Sequence, residues 1–147
     1  MSDTPLHYRT ITELAEMLRR GEATPTSLTE YLLARVEKLN GPLTAFNLVT
    51  ADRAMAEAEA AEALLKSGHD LGPLHGIPYA VKDLYDIVGL PTTAGSRTVE
   101  MTPKTKESEV TKRLAAAGMV VLGKTITVEF AKGIVGINNI QGTPHSP

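Results

Sequence analysis

One stretch of the chain, from Gly72 to Thr98, constrains the fold more than any other: GPLHGIPYAVKDLYDIVGLPTTAGSRT. After its opening glycine and proline turns, segment 77–81 is short, apolar and rich in β-branched and aromatic residues, which predicts a buried strand. Side chains alternate across a strand, so Lys82 is expected on the face that also carries Pro78 and Ala80. A lysine that ends a buried strand among small neighbours needs a partner or a function, because burying an unpaired charge is costly.

Helical and strand patterns alternate around this stretch, which predicts an α/β fold. Thr10 and Glu13 form a capping-box pattern at the first helix, and Asn40-Gly41-Pro42 is expected to end the second. Val110, Leu114 and Ala117 are expected to face inward from the last helix. Helices are predicted at 10–20, 25–39, 51–67 and 107–117, strands at 45–49, 77–81 and 119–122, and a short helix or turn at 128–132.

The composition excludes several classes of protein and site. A net charge of −2 gives no reason to expect nucleic acid or an anionic membrane as a partner, and the absence of cysteine excludes disulfides and thiolate metal sites. The four histidines are not at ligand spacing, so no metal site is expected. The N-terminal segment MSDTPLHYRT lacks the basic and apolar regions of a secretory signal. A cytoplasmic protein is therefore the expectation.

A second motif has to be weighed against nucleotide binding. Residues 118–125, GMVVLGKT, match the phosphate-binding pattern G-x-x-x-x-G-K-[ST]. A phosphate cradle needs the four middle residues as a loop, but here they are an apolar run directly after a predicted helix. This arrangement favours a buried strand with Lys124 and Thr125 at its end, and it disfavours a nucleotide site.

Several motifs, in order along the chain, resemble the amidase signature family. They are Gly76-Ile77-Pro78 with Val81-Lys82-Asp83, Leu90 to Ser96, Ala116 to Thr125, Glu129-Phe130-Ala131, and Gly142-Thr143-Pro144. The resemblance implies a mixed sheet flanked by helices. It also implies a serine hydrolase of amide bonds with a Ser–cis-Ser–Lys triad, in which the lysine is Lys82 and Ala131 contributes to the substrate pocket. No cofactor and no metal are implied.

The family supplies both serines from a glycine- and serine-rich stretch that follows the last of these motifs. We therefore expect residues 1–147 to be the N-terminal portion of a single amidase domain, inactive alone and with an exposed sheet edge prone to aggregation. Because the family's serines lie later, Ser96 is expected to have a turn or packing role.

Lys82 can activate a serine only as the neutral amine, and burial disfavours the ammonium form of a lysine. The alternative from the residues alone is an ion pair of Lys82 with Asp83 or Asp86. For Ala131 the alternative is a position in a glycine-rich connection without a ligand role.

Three functions remain open at this point. The first is an amidase that acts on a small-molecule amide, with a homodimer as a possible assembly. The second is the A subunit of a glutamine-dependent tRNA amidotransferase, which would pass ammonia to partner subunits and would not bind nucleic acid directly. The third is a catalytically silent scaffold or binding module. None of them implies contact with a membrane.

Overall fold

A computed structural model describes residues 4–147 of the chain. The first three residues of the segment on which the signal prediction was made lie outside this range. The elements in chain order are a 3-10 turn at Leu6–Tyr8, α1 (Ile11–Arg20), α2 (Pro25–Leu43), β1 (Phe46–Val49), α3 (Ala51–Lys66), β2 (Pro78–Lys82), α4 (Glu109–Ala116), β3 (Val120–Thr125) and a 3-10 turn at Glu129–Ala131. Within residues 4–147, no helix combines the length and the apolarity needed to cross a bilayer.

The predicted start of α1 is confirmed. The Glu13 N–H donates to Thr10 Oγ1 at 3.2 Å, and the Thr10 N–H donates to the Glu13 carboxylate at 2.7 Å. This reciprocal capping box satisfies N–H groups that have no partner within the helix. Gly21 ends the helix with φ of 69°, a left-handed conformation that glycine adopts without strain.

The predicted end of α2 is wrong, because the helix continues through Asn40-Gly41-Pro42 to Leu43. Pro42 has no N–H to donate within the helix, and the helix ends one residue after it. The chain leaves the helix at Thr44, whose φ is 50° and whose N–H donates to the Asn40 carbonyl at 2.7 Å. The Asn40 side chain then accepts from the N–H of Phe46 at 2.7 Å, which ties the helix end to the first residue of β1.

The sheet has the order β1-β3-β2, with β1 antiparallel to β3. Hydrogen bonds from Val120 N–H to the Ile77 carbonyl and from Asp83 N–H to the Thr125 carbonyl show that β2 and β3 are parallel, so the sheet is mixed. Gly123 lies where β1 and β3 approach closely, since a Cβ there would be 2.1 Å from the Leu48 carbonyl oxygen. The three predicted strands are confirmed, and β3 is longer than predicted.

The chain divides into two compact units. The first unit comprises residues 4–35, 50–79 and 114–122, and its core is apolar: Leu14, Ala15, Leu18, Leu28 and Ile77. His75 is also buried there, with Nδ1 accepting from the Leu71 N–H at 3.1 Å. Burial lowers the pKa of His75, partly opposed by the nearby carboxylate of Asp70.

The second unit comprises residues 36–49, 80–113 and 123–147. Its α4 corrects one expectation, because Val110 is 46% exposed. The fully buried residue of that helix is Thr111, whose hydroxyl donates to the Asp86 carbonyl at 2.8 Å. Among the other buried side chains of this unit is Asp83, which directly follows β2 and the predicted catalytic lysine.

Candidate active site

Lys82 ends β2 with an exposed side chain, whereas Val81 before it and Asp83 after it are buried. The predicted alternation along the strand is therefore confirmed. Within residues 4–147 the Lys82 side chain is exposed, so these residues alone do not supply the burial expected of it. The reason is that its face also carries exposed Ala80 and no element of residues 4–147 covers it. Within the same residues, no ion pair or side-chain hydrogen bond engages its ammonium group.

The alternative ion pair of Lys82 with Asp83 is wrong, because Asp83 pairs with a different lysine. Lys124 Nζ lies 2.7 Å from the Asp83 carboxylate, and both side chains are almost completely inaccessible. The same carboxylate accepts from Asn47 Nδ2 at 2.8 Å and from the N–H of Thr93 at 3.3 Å, and it also accepts from the Thr93 hydroxyl. Asp83 therefore faces the interior, opposite to Lys82.

Lys124 is fully buried on β3, in the segment that matched the phosphate-binding pattern. In addition to Asp83, its ammonium group donates to the Pro91 carbonyl at 2.8 Å and to Thr92 Oγ1 at 2.6 Å. The four apolar residues before Gly123 include the first three residues of a strand, not a loop. The backbone shape that a phosphate cradle requires is therefore absent from this segment.

The loop after β2 turns at Ala94 and Gly95, whose φ values are 52° and 70°. A Cβ at Gly95 would lie 2.5 Å from the Thr127 carbonyl oxygen, so only glycine fits there. Buried Asn138 donates to the carbonyls of both Gly95 and Thr127, at 2.9 and 2.8 Å. One amide side chain thus joins this turn to the C-terminal segment.

Ser96 is buried in the same loop, and its hydroxyl donates to the Glu129 carboxylate at 2.6 Å. The Thr98 N–H donates to the Ser96 oxygen at 3.2 Å. Both contacts agree with the turn or packing role predicted for this serine.

Ala131 ends the second 3-10 turn and is partly buried. Ala131 and Phe130 have φ values of 54° and 50°. Two consecutive non-glycine residues in this left-handed region are uncommon, and such strain is concentrated at functional sites. Ala94 connects this turn to β2, because its N–H donates to the Asp83 carbonyl at 3.0 Å and its carbonyl accepts from the Phe130 N–H at 2.7 Å.

Residues 27–147, most of the chain, match the family model described as Amidase. The chain belongs to the amidase family. The solved structures that it resembles include a crystal structure of an amidase, at 34% identity and a TM-score of 0.84 over 92% of this chain and 31% of that one. Another is native peptide amidase from Stenotrophomonas maltophilia, at 30% identity and a TM-score of 0.86 over 95% of this chain and 30% of that one.

Curated relatives of this amidase-family chain are glutamyl-tRNA(Gln) amidotransferase A subunits. The one from Streptomyces coelicolor is 40% identical over 94% of this chain and 28% of its own length. The one from Synechococcus sp. (strain WH7803) is 46% identical over 84% of this chain and 25% of its own length. The chain thus spans less than a third of the length of these relatives.

In this amidase-family chain, each of the two predicted site residues is adjacent in sequence to a residue that hydrogen-bonds to Ala94. Lys82 precedes Asp83, Ala131 follows Phe130, and Ala94 bonds to the main chain of both neighbours. The sequence did not predict that four buried side chains hold the loop around Ala94: Asp83, Lys124, Thr93 and Asn138. The burial of Lys124 in an ion pair could have been suspected from the sequence. Like Lys82, Lys124 comes at the end of an apolar segment (residues 119–122), and a lysine buried there needs a partner.

Proposed function

We propose that residues 1–147 are the N-terminal portion of a single amidase domain and that the whole enzyme hydrolyses amide bonds with a Ser–cis-Ser–Lys triad. Lys82 is the lysine of that triad, and both serines lie outside this chain. The observation that carries the proposal is the orientation of Lys82. It leaves the end of β2 on the exposed side, while the carboxylate next to it is fully engaged by Lys124 and other donors.

In this proposal a neutral Lys82 takes a proton from the cis-serine, which takes one from the nucleophilic serine. The serine oxygen bonds to the amide carbonyl carbon, and the C–N bond then breaks as the proton returns to the departing ammonia or amine. Water hydrolyses the resulting acyl-enzyme by the same proton route and releases the acid. Chain beyond residue 147 would cover Lys82 and thereby favour its neutral form.

Ala131 is the proposed substrate-binding residue. Its support is the left-handed backbone at 130–131, which orients main-chain groups of the turn in a way that an ordinary helix or strand does not. Main-chain N–H and carbonyl groups are common ligands for the polar end of a small substrate.

The test uses the full-length protein and ammonia release from propionamide, benzamide and glutamine. We expect Lys82→Ala to lower kcat by about 1,000-fold, the middle of the range for a general base. The matched control is Lys112→Ala, which removes an exposed lysine from α4 and should leave the rate unchanged. Substantial turnover by a folded Lys82→Ala variant would refute the proposed role.

A second candidate is the A subunit of a glutamine-dependent tRNA amidotransferase, favoured by the names of the relatives at 40% and 46% identity. It predicts that glutamine is hydrolysed in preference to the other two amides and that partner subunits co-purify with the full-length protein. A stable homodimer without other subunits, active on propionamide or benzamide, would favour a plain amidase. The cytoplasmic location expected from the sequence stays a prediction.

A further inference from the structure

The buried ion pair of Asp83 and Lys124 has no part in the proton route above, yet each of its polar groups is used. A lysine ammonium has three N–H donors. The Nζ atom of Lys124 lies 2.6–2.8 Å from oxygens of Asp83, Pro91 and Thr92, so each donor has an acceptor. A buried pair offsets the loss of hydration only when its geometry is good and its remaining groups are satisfied. This site meets both conditions.

The pair acts on the residue directly after Lys82. Besides its carboxylate, Asp83 has both main-chain groups engaged: its N–H donates to the Thr125 carbonyl at 3.1 Å, and its carbonyl accepts from the Ala94 N–H at 3.0 Å. The Lys82 carbonyl accepts from the N–H of Leu84 at 2.7 Å. The peptide units on both sides of Asp83 are therefore fixed, and strand alternation directs Lys82 to the opposite face.

The same pair fixes the loop that leads to Ala131. Lys124 holds Pro91 and Thr92, and Asp83 holds Thr93 through the N–H and the hydroxyl. Ala94 follows immediately and accepts the Phe130 N–H. A shift of the ion pair would thus displace both of the proposed site residues.

We propose that Asp83 and Lys124 are positioning residues for Lys82. In this role the ion pair sets the direction in which the Lys82 side chain leaves β2, and Lys124 itself exchanges no proton with the serines. The inference rests on the proposed function, in which Lys82 is the base. It gives the two lysines different roles, since the exposed one reacts and the buried one orients.

The experiment measures kcat and KM of the full-length protein for the best of the three amides, per folded molecule, with the folded fraction taken from circular dichroism. Lys124→Met should lower kcat by about 100-fold, as expected when a reacting group is displaced by about 1 Å, with a much smaller rise in KM from the displacement of Ala131. The decisive variant is the double change Asp83→Asn with Lys124→Met. Removing both charges avoids leaving one of them buried and unpaired, so Tm should recover most of its loss while kcat stays low.

A milder variant decides the matter if the double variant does not fold. Asn47→Ala keeps both charges of the ion pair but removes one of the donors that fix the Asp83 carboxylate, so the pair can shift. It should lower kcat by about tenfold, the scale of one hydrogen bond to a charged group. The stability-matched control is Thr26→Ala, which removes a hydroxyl donor to Glu62 in the first unit and should leave kcat unchanged.

Two results would overturn the inference. One is a double variant with both wild-type Tm and wild-type kcat, and the other is an Asn47→Ala variant with unchanged kcat. Lys82→Ala, measured in the same assay, separates the two hypotheses. If that variant is inactive while the Asn47 and double variants are fully active, only the positioning role fails. If Lys82→Ala stays active, the proposed function fails.

Discussion

The two compact units bury different kinds of side chain. Among the described residues, the buried hydrophobic side chains of the first unit far outnumber its buried polar ones, Thr29 and His75. In the second unit the proportion is reversed, because only Val81 and Ile87 are buried hydrophobics. The buried polar side chains of that unit are Asp83, Thr92, Thr93, Ser96, Thr111, Lys124, Thr127 and Asn138.

This difference separates two ways of building an interior. Apolar contacts are non-directional and tolerate some rearrangement, so the first unit can be stable without fixing any one group to a fraction of an ångström. A buried hydrogen-bonded network is directional, and it is favourable only when all its members are satisfied. The candidate active site lies in the unit of the second kind, where directional bonds fix the backbone around Lys82.

The largest effect is expected from breaking the polar interior. Asp83→Ala leaves the Lys124 ammonium without its counter-charge at a site with no solvent access, and removing one partner of a buried pair costs about 3–5 kcal/mol. Urea unfolding of the variant measures this loss. Asp86→Ala is the control, since that carboxylate is not part of the network. A loss of unfolding free energy under about 1 kcal/mol for Asp83→Ala would mean that the network tolerates a missing member, and the two interiors would then not differ in the way proposed.

A smaller loss is expected in the apolar interior. Leu28 is fully buried in the core of the first unit. Leu28→Ala should reduce the free energy of unfolding by about 3 kcal/mol, through lost burial and the cavity left behind. Leu28→Met, which nearly conserves volume, should cost under about 1.5 kcal/mol in the same urea experiment. Equal losses for the two variants would show that this core is as demanding of shape as the polar one.

A pH-dependent effect is expected at the edge of the first unit. Hydrogen bonds from Lys66 and Thr26 lower the pKa of Glu62 to about 2, from an ordinary value of 4.5. A carboxyl group with a lowered pKa contributes stability above pH 4.5, and that contribution is lost as the pH falls toward 2. Because Lys66 is largely exposed, solvent screens the pair and the contribution should be at most about 1 kcal/mol.

The check is Glu62→Gln, whose unfolding free energy should decrease less than that of the wild type between pH 6 and pH 2.5. Thr26→Ala should give an intermediate slope, because it removes only one of the donors. Parallel curves for all three proteins would rule out the low pKa of Glu62.

The smallest effect is expected on the surface of the second unit. Arg113 and Glu109 form an i,i+4 pair on α4 at 2.7 Å, with side chains 78% and 64% exposed. Such pairs contribute about 0.3–0.5 kcal/mol. Glu109→Ala should therefore lower the urea midpoint only slightly, and the decrease should be smaller still in 0.5 M salt. A loss comparable to that of Asp83→Ala would show that charge, and not burial, determines the sensitivity of this unit.

The sequence predicted the elements that depend on local signals. The Thr10–Glu13 capping box, the strand before Lys82 and the strand at 119–122 were each readable from spacing and residue type. The end of α2 was mispredicted because Asn40 and Thr44 act through contacts with β1 and with their own turn, which outweigh the stop signal of Gly41-Pro42. The strand pattern singled out Lys82, but only the resemblance to a family gave Lys82 and Ala131 their expected roles.

The burial of charged groups could not be predicted from the sequence. Lys82 and Lys124 both follow short apolar runs, and nothing local distinguishes the exposed one from the buried one. Their environments depend on which strand lies in the centre of the sheet, and β3 is central while β2 is at its edge. That strand order arises from pairing between distant parts of the chain, so it cannot be predicted from the local sequence around either lysine.

Gly123 explains why this protein imitates a nucleotide-binding signature. Its missing side chain makes room for the Leu48 carbonyl on the adjacent strand, and the lysine that follows is drawn inward by a carboxylate. Two unrelated requirements, close strand approach and charge neutralisation, thus produce the same Gly-Lys pair that ATP-binding proteins use to hold phosphate. Motif searches of other chains with this spacing will give the same false match wherever the glycine lies within a strand.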